Sequence, residues 1–310
     1  MRVVLLGTAA GGGFPQWNCF CPGCEAARHE PERARPRLQS SVAVSADGAR
    51  WFLLDASPDV RQQVAMLPSN PAAGALRHSP VEGIALTDAE LDHTLGIPLL
   101  RESRTLSLYA TRAAIETLET GSHLLPTTRA FATMALTTLE PGKPVPLLYR
   151  DDSQSGLEVE AVPVPGTPPR FAARAQDGDT VALFVSDRSG GDGERAGSLA
   201  FVPGCAVLTP AILDKLASCR AALVDGTFWR EDELSALGLS ARTAREMGHL
   251  PMSGPAGSLG PLAELAARGT RVVYVHLNNT NPVLLEDSPE RAEVLARGLD
   301  VGTDALELEV

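Results

Sequence analysis

The stretch Ile84-Ala-Leu-Thr-Asp-Ala-Glu-Leu-Asp-His93, followed by Thr94-Leu-Gly96, joins a short apolar run to a group of polar residues. Residues 83–86 have the composition of a buried strand, and the pattern from Asp92 onward predicts the start of a helix. Alternation along an extended segment places three carboxylates on one side, and a histidine joins them if the chain turns into the helix there. An acidic loop with an N-cap aspartate is the alternative interpretation. The four side chains able to bind a metal ion are Asp88, Glu90, Asp92 and His93.

Other polar residues stand where further apolar runs end. Residues 221–225 read as a strand that ends in Asp225, and residues 271–276 read as a strand that ends in His276. Asp55 ends the second strand of a predicted hairpin in the same way, although a plain turn aspartate would give the same pattern. His249 lies in a loop ahead of a predicted helix. Beside an acidic metal pocket, such a histidine can carry protons because its pKa lies near neutrality.

The segment Cys19-Phe-Cys21-Pro-Gly-Cys24 holds three of the five cysteines of the chain. Three thiols at this spacing can bind one soft metal ion, and zinc in structural sites takes four ligands. The fourth is either His29, the nearest histidine, or a residue far along the chain. Three buried structural thiols are the alternative. An odd and small number of cysteines does not favour a disulfide framework, and metal binding in a reducing compartment fits better.

Composition excludes several classes of function. The chain has 310 residues, 44% of them hydrophobic, and a net charge of −11. These values describe a soluble globular protein with a substantial core. The acidic balance and the absence of a basic run give no electrostatic support for nucleic-acid binding. We find neither a signal peptide nor a stretch long enough to cross a membrane, so we expect a cytoplasmic protein.

Strand and helix patterns alternate along the chain without a low-complexity linker or a sequence repeat, which favours one layered α/β domain over residues 1–310. Residues 187–197 read as a loop rich in glycine and charge. Cys205 at a strand end and Cys219 inside an apparent helix read as core residues. The predicted strands are 2–7, 38–45, 50–55, 83–86, 106–110, 141–149, 156–164, 180–186, 198–202, 221–225, 271–276 and 305–310. The predicted helices are 60–66, 94–100, 111–121, 261–268 and 289–297.

The stretch 84–96 resembles the motif His-x-His-x-Asp-His of the metallo-β-lactamase superfamily, with Asp88 and Glu90 where the first two histidines usually stand. Together with the cysteines of residues 19–24 and the segments near 249 and 276, the chain closely resembles the family of coenzyme PQQ synthesis protein B over essentially its whole length. This resemblance implies a four-layer αββα sandwich. Its two halves are related by pseudo-symmetry, and the metal ion lies between the sheet edges.

The resemblance also implies a set of site residues. Asp55 matches a supporting aspartate that orients the ligands, and the metal ligands carried over are Asp92, His93, Asp225 and His276. Two further departures from the superfamily are that residues 163–169 lack the usual histidine and that no bridging aspartate stands near Cys205. A binuclear hydrolytic site is therefore not expected. Two histidines with carboxylates suit one non-haem iron, Fe(II), although manganese or zinc would also fit.

For the cysteine site, the resemblance points to a distant fourth ligand. In phosphodiesterase relatives with similar cysteines, this ligand lies three residues after the last active-site histidine, which corresponds to Asn279. Asparagine is a poor zinc ligand, so this correspondence conflicts with zinc chemistry. A cysteine–metal knuckle near the N-terminus would suit the contact of a homodimer.

The activity implied by the resemblance is a step in the synthesis of pyrroloquinoline quinone (PQQ): the iron-dependent hydroxylation of the tyrosine ring in a crosslinked Glu-Tyr precursor. The catalytic residues of this hypothesis are His249, Glu90 and Asp88, of which His249 and Glu90 would move protons or bind the amino-acid groups of the substrate. One alternative is a metal-dependent hydrolase acting on a peptide or a phosphodiester. The other is a non-catalytic carrier of PQQ. Clustered carboxylates argue against a carrier, because they repel one another without a cation.

Overall fold

The computed structural model describes residues 1–188 and 197–310, and within these ranges the strands form two seven-stranded sheets. In chain order the strands are β1 (Arg2–Gly7), β2 (Ser41–Ser45), β3 (Trp51–Leu54), β4 (Val81–Ala85), β5 (Thr105–Ala110), β6 (Thr133–Thr138), β7 (Val145–Leu148), β8 (Gln154–Pro163), β9 (Val181–Asp187), β10 (Ser198–Val202), β11 (Ala221–Asp225), β12 (Arg271–Val275), β13 (Asp300–Val301) and β14 (Glu307–Glu309).

The helices are short, and several begin at the caps that the sequence provides. Thr111 accepts a hydrogen bond from the backbone N of Ala114 at 3.2 Å, and Ser288 accepts one from Arg291 N at 3.1 Å. In chain order the helices are α1 (Pro22–His29), α2 (Val60–Val64), α3 (Leu91–Thr94), α4 (Gly96–Leu99), α5 (Arg112–Glu116), α6 (Leu124–Arg129), α7 (Pro210–Ala217), α8 (Glu233–Ala236), α9 (Leu259–Ala267) and α10 (Pro289–Ala296).

Both sheets combine antiparallel and parallel strands in the same way. The first runs β14-β1-β2-β3-β4-β5-β6 and is parallel from β3 to β6. The second runs β13-β12-β11-β10-β9-β8-β7 and is parallel from β10 to β13. Parallel strands end at a common edge, so each half of the chain delivers several strand ends, and the polar residues after them, to one place.

The sheets are stacked between two layers of helices. Along β1, Val3 and Leu5 face the other sheet, whereas Val4 and Leu6 face the helices α2, α4, α5 and α6. The outer face of the second sheet packs against α1, α7, α9 and α10. Burial of each large apolar side chain stabilises this arrangement by about 1.5–3 kcal/mol. The predicted four-layer αββα sandwich is confirmed.

The helix expected at residues 94–100 is divided into α3 and α4, and the reason lies at Gly96. The backbone N of Gly96 donates to Ala56 O, and Ala56 N donates to His93 O, both at 2.8 Å. A Cβ at Gly96 would lie 2.5 Å from Ser57 O, so this close approach of two backbones requires glycine. The contact fixes the backbone of His93 against the end of β3.

Several other elements differ from prediction. Five elements were not predicted from the sequence: α1, α6, α8, β6 and β13. Cys219 follows the end of α7 instead of lying inside the helix, although it is buried as expected. The predicted strand 141–149 is shortened to β7. Of the predicted loop 187–197, residues 189–196 lie outside the described residues.

Across residues 1–188 and 197–310, the structure contains no helix that is both long and apolar enough to cross a membrane.

Candidate metal centre

The polar strand ends of both sheets border a cleft of about 640 Å³, a volume typical of sites that bind small molecules. The first half of the chain contributes the segment between β4 and α3, and the second half contributes the residues that follow β11 and β12. The predicted site residues that line this cleft are Asp88, Glu90, Asp92, His93, His249 and His276.

His93 is buried and held through its Nδ1 atom. Both carboxylate oxygens of Asp88 lie 2.9 Å from Nδ1 of His93. The carboxylate of Asp55 lies 3.6 Å from the same nitrogen and accepts hydrogen bonds from Thr87 N at 2.8 Å and Thr87 Oγ1 at 2.7 Å. Because carboxylate oxygens face Nδ1, we place the proton of the neutral ring on Nδ1. Nε2 of His93 is then free to bind a metal ion.

His276 is held differently, through a hydroxyl group. Thr227 Oγ1 lies 2.6 Å from Asp225 Oδ1 and 2.8 Å from His276 Nδ1. The hydroxyl also lies 2.9 Å from His276 O, but its single proton goes to the closer and charged carboxylate. The hydroxyl oxygen then accepts the Nδ1 proton of His276. Nε2 of His276 is therefore also free of its proton.

His249 pairs with the same carboxylate as Thr227. Its Nδ1 atom lies 2.8 Å from Asp225 Oδ2 and 3.0 Å from Thr227 Oγ1. The backbone N atoms of Thr227 and Cys205 each donate to Asp225 at 3.0 Å. Both oxygens of Asp225 are thus occupied by donors of the protein, in a buried position behind the histidine rings.

Asp92 brings the two halves together. Its Oδ2 atom lies 3.7 Å from Nε2 of His93 and 3.4 Å from Nε2 of His276. Both Nε2 atoms are buried and lack a hydrogen-bond partner among the described residues. Buried polar atoms without partners are costly, and a metal ion is a group that would satisfy these two. The donor set therefore fits a metal ion.

Two overlapping groups of possible ligands result. The first consists of Asp92, His93 and His276, and the second of Asp225, His249 and His276, and in each group the ligand atoms lie within 4.8 Å of one another. Asp55 and His276 have φ values of 59° and 55°, a left-handed conformation that costs about 1–3 kcal/mol in such residues. Strain of this kind is concentrated at functional sites.

Charge within the cluster shifts its titration. Burial would lower the pKa of His93, but Asp88, Asp55 and Asp92 raise it well above its usual value. Burial, with the nearby His93 and His249, lowers the pKa of His276. Burial would raise the pKa of Asp92, but His93 and His276 lower it, so this carboxylate is ionised.

The remaining predicted catalytic residues lie at the cleft in different roles. Asp88 holds His93 and also accepts a hydrogen bond from Glu90 N at 2.9 Å. Glu90 turns toward the opposite wall, where its Oε1 accepts from Arg170 N at 3.1 Å. Burial, followed by repulsion from Asp88, raises the pKa of Glu90. The segment 163–169 lies at the cleft through Thr167, and Cys205 is buried as a core residue.

The three cysteines converge around one amide. Cys19, Cys21 and Cys24 have their sulfur atoms within 4.8 Å of one another. Asn279 Nδ2 lies 3.0 Å from Cys19 Sγ and 3.4 Å from Cys24 Sγ, so the distant position implied by the family resemblance is at the knuckle. His29 was the local alternative. It is exposed and faces Glu25 Oε2 at 3.9 Å, so it is not the fourth member of this group.

Four residues of the site were not predicted from the sequence: three line the cleft, and Thr87 is buried beneath it. Thr87 and Thr227 connect carboxylates to histidines, and their only signal was their place one residue before Asp88 and two residues after Asp225. Arg170 and Arg242 line the cleft from irregular loops, for which periodicity gives no signal.

Comparison with known proteins identifies the family. The family described as "Beta-lactamase superfamily domain" matches residues 50–277. Coenzyme PQQ synthesis protein B of Methylobacterium radiotolerans is 42% identical, and that of Azoarcus sp. is 40% identical, each covering 100% of both chains.

Solved structures with a similar fold agree with this family. The crystal structure of Zn²⁺-bound PqqB from Methylobacterium extorquens is 38% identical, with a TM-score of 0.85 and 100% of both chains covered. A diphosphatase from the PhnP family, 18% identical with a TM-score of 0.66 over 100% of this chain and 97% of its own, shares the fold. The chain belongs to the coenzyme PQQ synthesis protein B family of the metallo-β-lactamase superfamily.

Proposed function

We propose that this chain is a metal-dependent enzyme of PQQ biosynthesis that hydroxylates the tyrosine ring of a crosslinked Glu-Tyr precursor. The names of its relatives support the pathway, and the fold supports a metal-dependent reaction. The observation that carries the proposal is the pair of buried Nε2 atoms of His93 and His276, which face Asp92 without hydrogen-bond partners among the described residues.

The hydrogen bonds favour a ligand set that differs in part from the sequence-based assignment. Asp92, His93 and His276 keep their predicted roles as ligands. Asp225 was predicted as a ligand and His249 as a proton carrier. Four donors occupy Asp225, and one of them is Nδ1 of His249. We therefore assign Nε2 of His249 as the fourth ligand and Asp225 as the residue that orients it.

The reaction needs dioxygen and a reductant from outside the protein. One oxygen atom is inserted into a C–H bond of the tyrosine ring, and the other leaves as water with two protons and two electrons from a small-molecule reductant. Iron(II), when bound, supplies the redox chemistry that dioxygen requires.

The side chains of the protein prepare this reaction. Asp88 and Thr227 hold the Nδ1 protons of His93 and His276, so that each ring keeps one orientation and one tautomer. Glu90, whose pKa burial raises, lies at the wall of the cleft and is positioned to exchange a proton with the phenol or to bind an ammonium group. Asp88, predicted as a catalytic residue, acts in this proposal by positioning His93.

The same geometry weighs against a hydrolase. Hydrolytic relatives use two zinc ions and about five histidines to activate water. Here carboxylates replace two of those histidines, and one of the two, Asp88, is hydrogen-bonded to His93.

We also propose a structural zinc ion at the cysteine knuckle. Asparagine is an unusual zinc ligand, but its amide lies against all three sulfur atoms, within 3.0–3.8 Å. The O and N atoms of a side-chain amide exchange places by a 180° rotation. Rotation would present Oδ1 of Asn279 as the fourth ligand to a zinc ion held by Cys19, Cys21 and Cys24. The homodimer and the cytoplasmic location stay predictions.

The test is anaerobic Fe(II) loading of the wild type and of the double variant Asp92→Ala, His93→Ala. The wild type should hold one iron ion in addition to one zinc ion, and the double variant should keep only the zinc. On exposure to oxygen, the wild type with the crosslinked Glu-Tyr compound and a reductant should consume oxygen and release a catechol, measured by an oxygen electrode and mass spectrometry.

Three results would contradict the proposal. Full conversion with redox-inert zinc alone would show that iron is not needed, and hydrolysis of a peptide or phosphodiester without oxygen uptake would favour a hydrolase. Binding of PQQ itself, with neither reaction, would favour the carrier.

A further inference from the structure

Two exposed arginine side chains line the cleft, and each keeps guanidinium donors available for an anion. Arg170 lies in the loop between β8 and β9, and Arg242 lies between α8 and the turn Arg245–Met247. Neither forms a salt bridge within the part of the chain that the structure describes. Arg245, only three residues after Arg242, is by contrast paired with Glu231.

The hydrogen bonds of the two arginines leave most of their donors available. Arg242 donates one bond, from Nη2, to the carbonyl oxygen of Glu246. The guanidinium of Arg170 has no hydrogen-bond partner among residues 1–188 and 197–310, and its positive charge partly offsets the raised pKa of Glu90. The backbone N of Arg170 donates to Glu90 Oε1 at 3.1 Å. This backbone contact holds Arg170 at the cleft beside the acidic segment.

The loop that carries Arg170 touches the end of the turn that follows Arg242. A Cβ at Gly248 would lie 3.0 Å from Thr167 Oγ1 and 3.2 Å from Thr167 N, and Gly248 has a φ of 90°. Glycine is therefore required where the two loops meet. Thr167, Arg170, Arg242 and Gly248 all line the same cleft, so both guanidinium groups border one cavity.

The charge of the cleft is otherwise negative. Asp88, Glu90 and Asp92 line it, and the only arginine or lysine side chains among its described lining residues are Arg170 and Arg242. A ligand with carboxylates is repelled by the acidic side of such a cavity unless a cation binds it. Arginine is suited to this task because its planar group binds a carboxylate through two parallel hydrogen bonds.

We propose that Arg170 and Arg242 bind the carboxylates of the substrate, which is an aromatic amino-acid derivative with free carboxylate groups. This inference rests on the proposed function. A crosslinked glutamate and tyrosine keep the two carboxylates of glutamate and the one of tyrosine, together with two amines. Glu90 Oε2, which has no hydrogen-bond partner in the described ranges, receives an ammonium group of the same substrate.

The test measures binding without turnover. The protein is loaded with redox-inert Zn(II), and titration calorimetry follows the crosslinked Glu-Tyr compound and, separately, its trimethyl ester. The variants are Arg170→Gln and Arg242→Gln, and the control is Arg174→Gln. Arg174 lies in the same loop as Arg170, is exposed, contacts Gln176 Oε1 at 3.5 Å and does not line the cleft.

Each cleft variant should weaken binding of the acid by about tenfold or more, the usual effect of losing a hydrogen bond to a charged group. Binding of the ester should change little, because the variant and the ester remove the same interaction. Arg174→Gln should bind both compounds as the wild type does. Thermal melting checks that every variant is folded.

Unchanged binding of the acid by both cleft variants, or equal losses for acid and ester, would overturn the inference while leaving the proposed reaction intact. Failure of the wild type to bind the acid would overturn both, since the substrate itself would then be wrong. The lysine variants Arg170→Lys and Arg242→Lys should fall between glutamine and wild type, because lysine keeps the charge but loses the paired hydrogen bonds.

Discussion

His93 in the first half of the chain and His276 in the second each present a buried Nε2 to Asp92, yet their Nδ1 atoms have different partners. Nδ1 of His93 lies 2.9 Å from both oxygens of the Asp88 carboxylate. Nδ1 of His276 lies 2.8 Å from the hydroxyl of Thr227. The corresponding carboxylate of the second half, Asp225, is paired with His249 instead.

The difference changes how strongly each ring holds a proton. The pKa of His93 is raised because Asp88, Asp55 and Asp92 outweigh the effect of burial, whereas burial and neighbouring histidines lower the pKa of His276. A carboxylate partner makes a histidine a more basic ligand, and a hydroxyl partner fixes only its orientation. The site therefore combines one strongly basic histidine with one that remains neutral.

Removal of Asp92 should have the largest effect, because this residue serves both halves. Asp92→Ala leaves His93 and His276 without the carboxylate that lies 3.7 Å and 3.4 Å from them. Loss of a direct ligand should exceed the tenfold to hundredfold loss typical of indirect partners, so we expect iron affinity to fall by more than about 100-fold. Metal analysis after dialysis measures it, with the cysteine-bound zinc as an internal reference. Retention of one iron per chain would contradict the shared role of Asp92.

The carboxylate partner of His93 comes next. Asp88→Asn should lower metal affinity by about 10–100-fold, since an amide can donate to Nδ1 and move the ring proton onto Nε2. Competition with a fluorescent chelator measures the affinity. Asp59→Asn is a matched control: Asp59 accepts from Gln39 N at 2.8 Å and belongs to neither ligand group. Equal losses in the two variants would mean that Asp88 has no particular role.

The hydroxyl partner of His276 should matter less for affinity. Thr227→Val keeps the shape of the side chain but leaves Nδ1 of His276 without an acceptor, so we expect about a tenfold loss of metal affinity. Because the threonine is buried, the free energy of unfolding should also fall by about 1–3 kcal/mol. Chelator competition and denaturant unfolding measure the two quantities.

Thr227→Ser restores the hydroxyl and serves as the control. It should recover most of the affinity. If serine binds metal as weakly as valine, the methyl group and its packing, not the hydroxyl, support His276.

These contrasts also show what could be predicted. The sequence predicted that Asp92, His93 and His276 lie together. For His276 the signal was its place directly after an apolar strand, and for Asp92 and His93 it was the resemblance to the superfamily motif. The four-layer fold followed from the family resemblance and was confirmed by two sheets of the same mixed topology.

The partners of these residues could not be predicted. Whether Nδ1 of His276 meets Asp225 or Thr227 depends on side-chain rotamers and on a left-handed φ of 55° at His276, which no periodicity reveals. The position of Asn279 among the sulfur atoms likewise depends on a long-range contact, because Asn279 and Cys24 are 255 residues apart in the chain. The break between α3 and α4 depends on a backbone contact of Gly96 that local propensity does not contain.

The smallest expected effect is a difference in pH dependence. A histidine must lose its Nε2 proton before it binds metal. Since the pKa of His93 is raised, protons compete for this ring at higher pH, and wild-type affinity should fall as the pH decreases through that range. Asp88→Asn removes the largest stabilising charge and lowers the pKa of His93, so the variant should lose less affinity on acidification. The difference in metal affinity between Asp88→Asn and the wild type should shrink by about threefold to tenfold for each unit by which the pH is lowered.

Thr227→Val provides the comparison, because the pKa of His276 is already lowered and this ring carries no competing proton over the same range. The loss of metal affinity of Thr227→Val relative to the wild type should stay constant as the pH falls. A plot of its metal affinity against pH should therefore run parallel to that of the wild type, whereas the plot for Asp88→Asn should converge with it. Chelator competition at several pH values measures both. Parallel plots for both variants would mean that Asp88 orients His93 without controlling its proton, and the two halves would then differ in geometry alone.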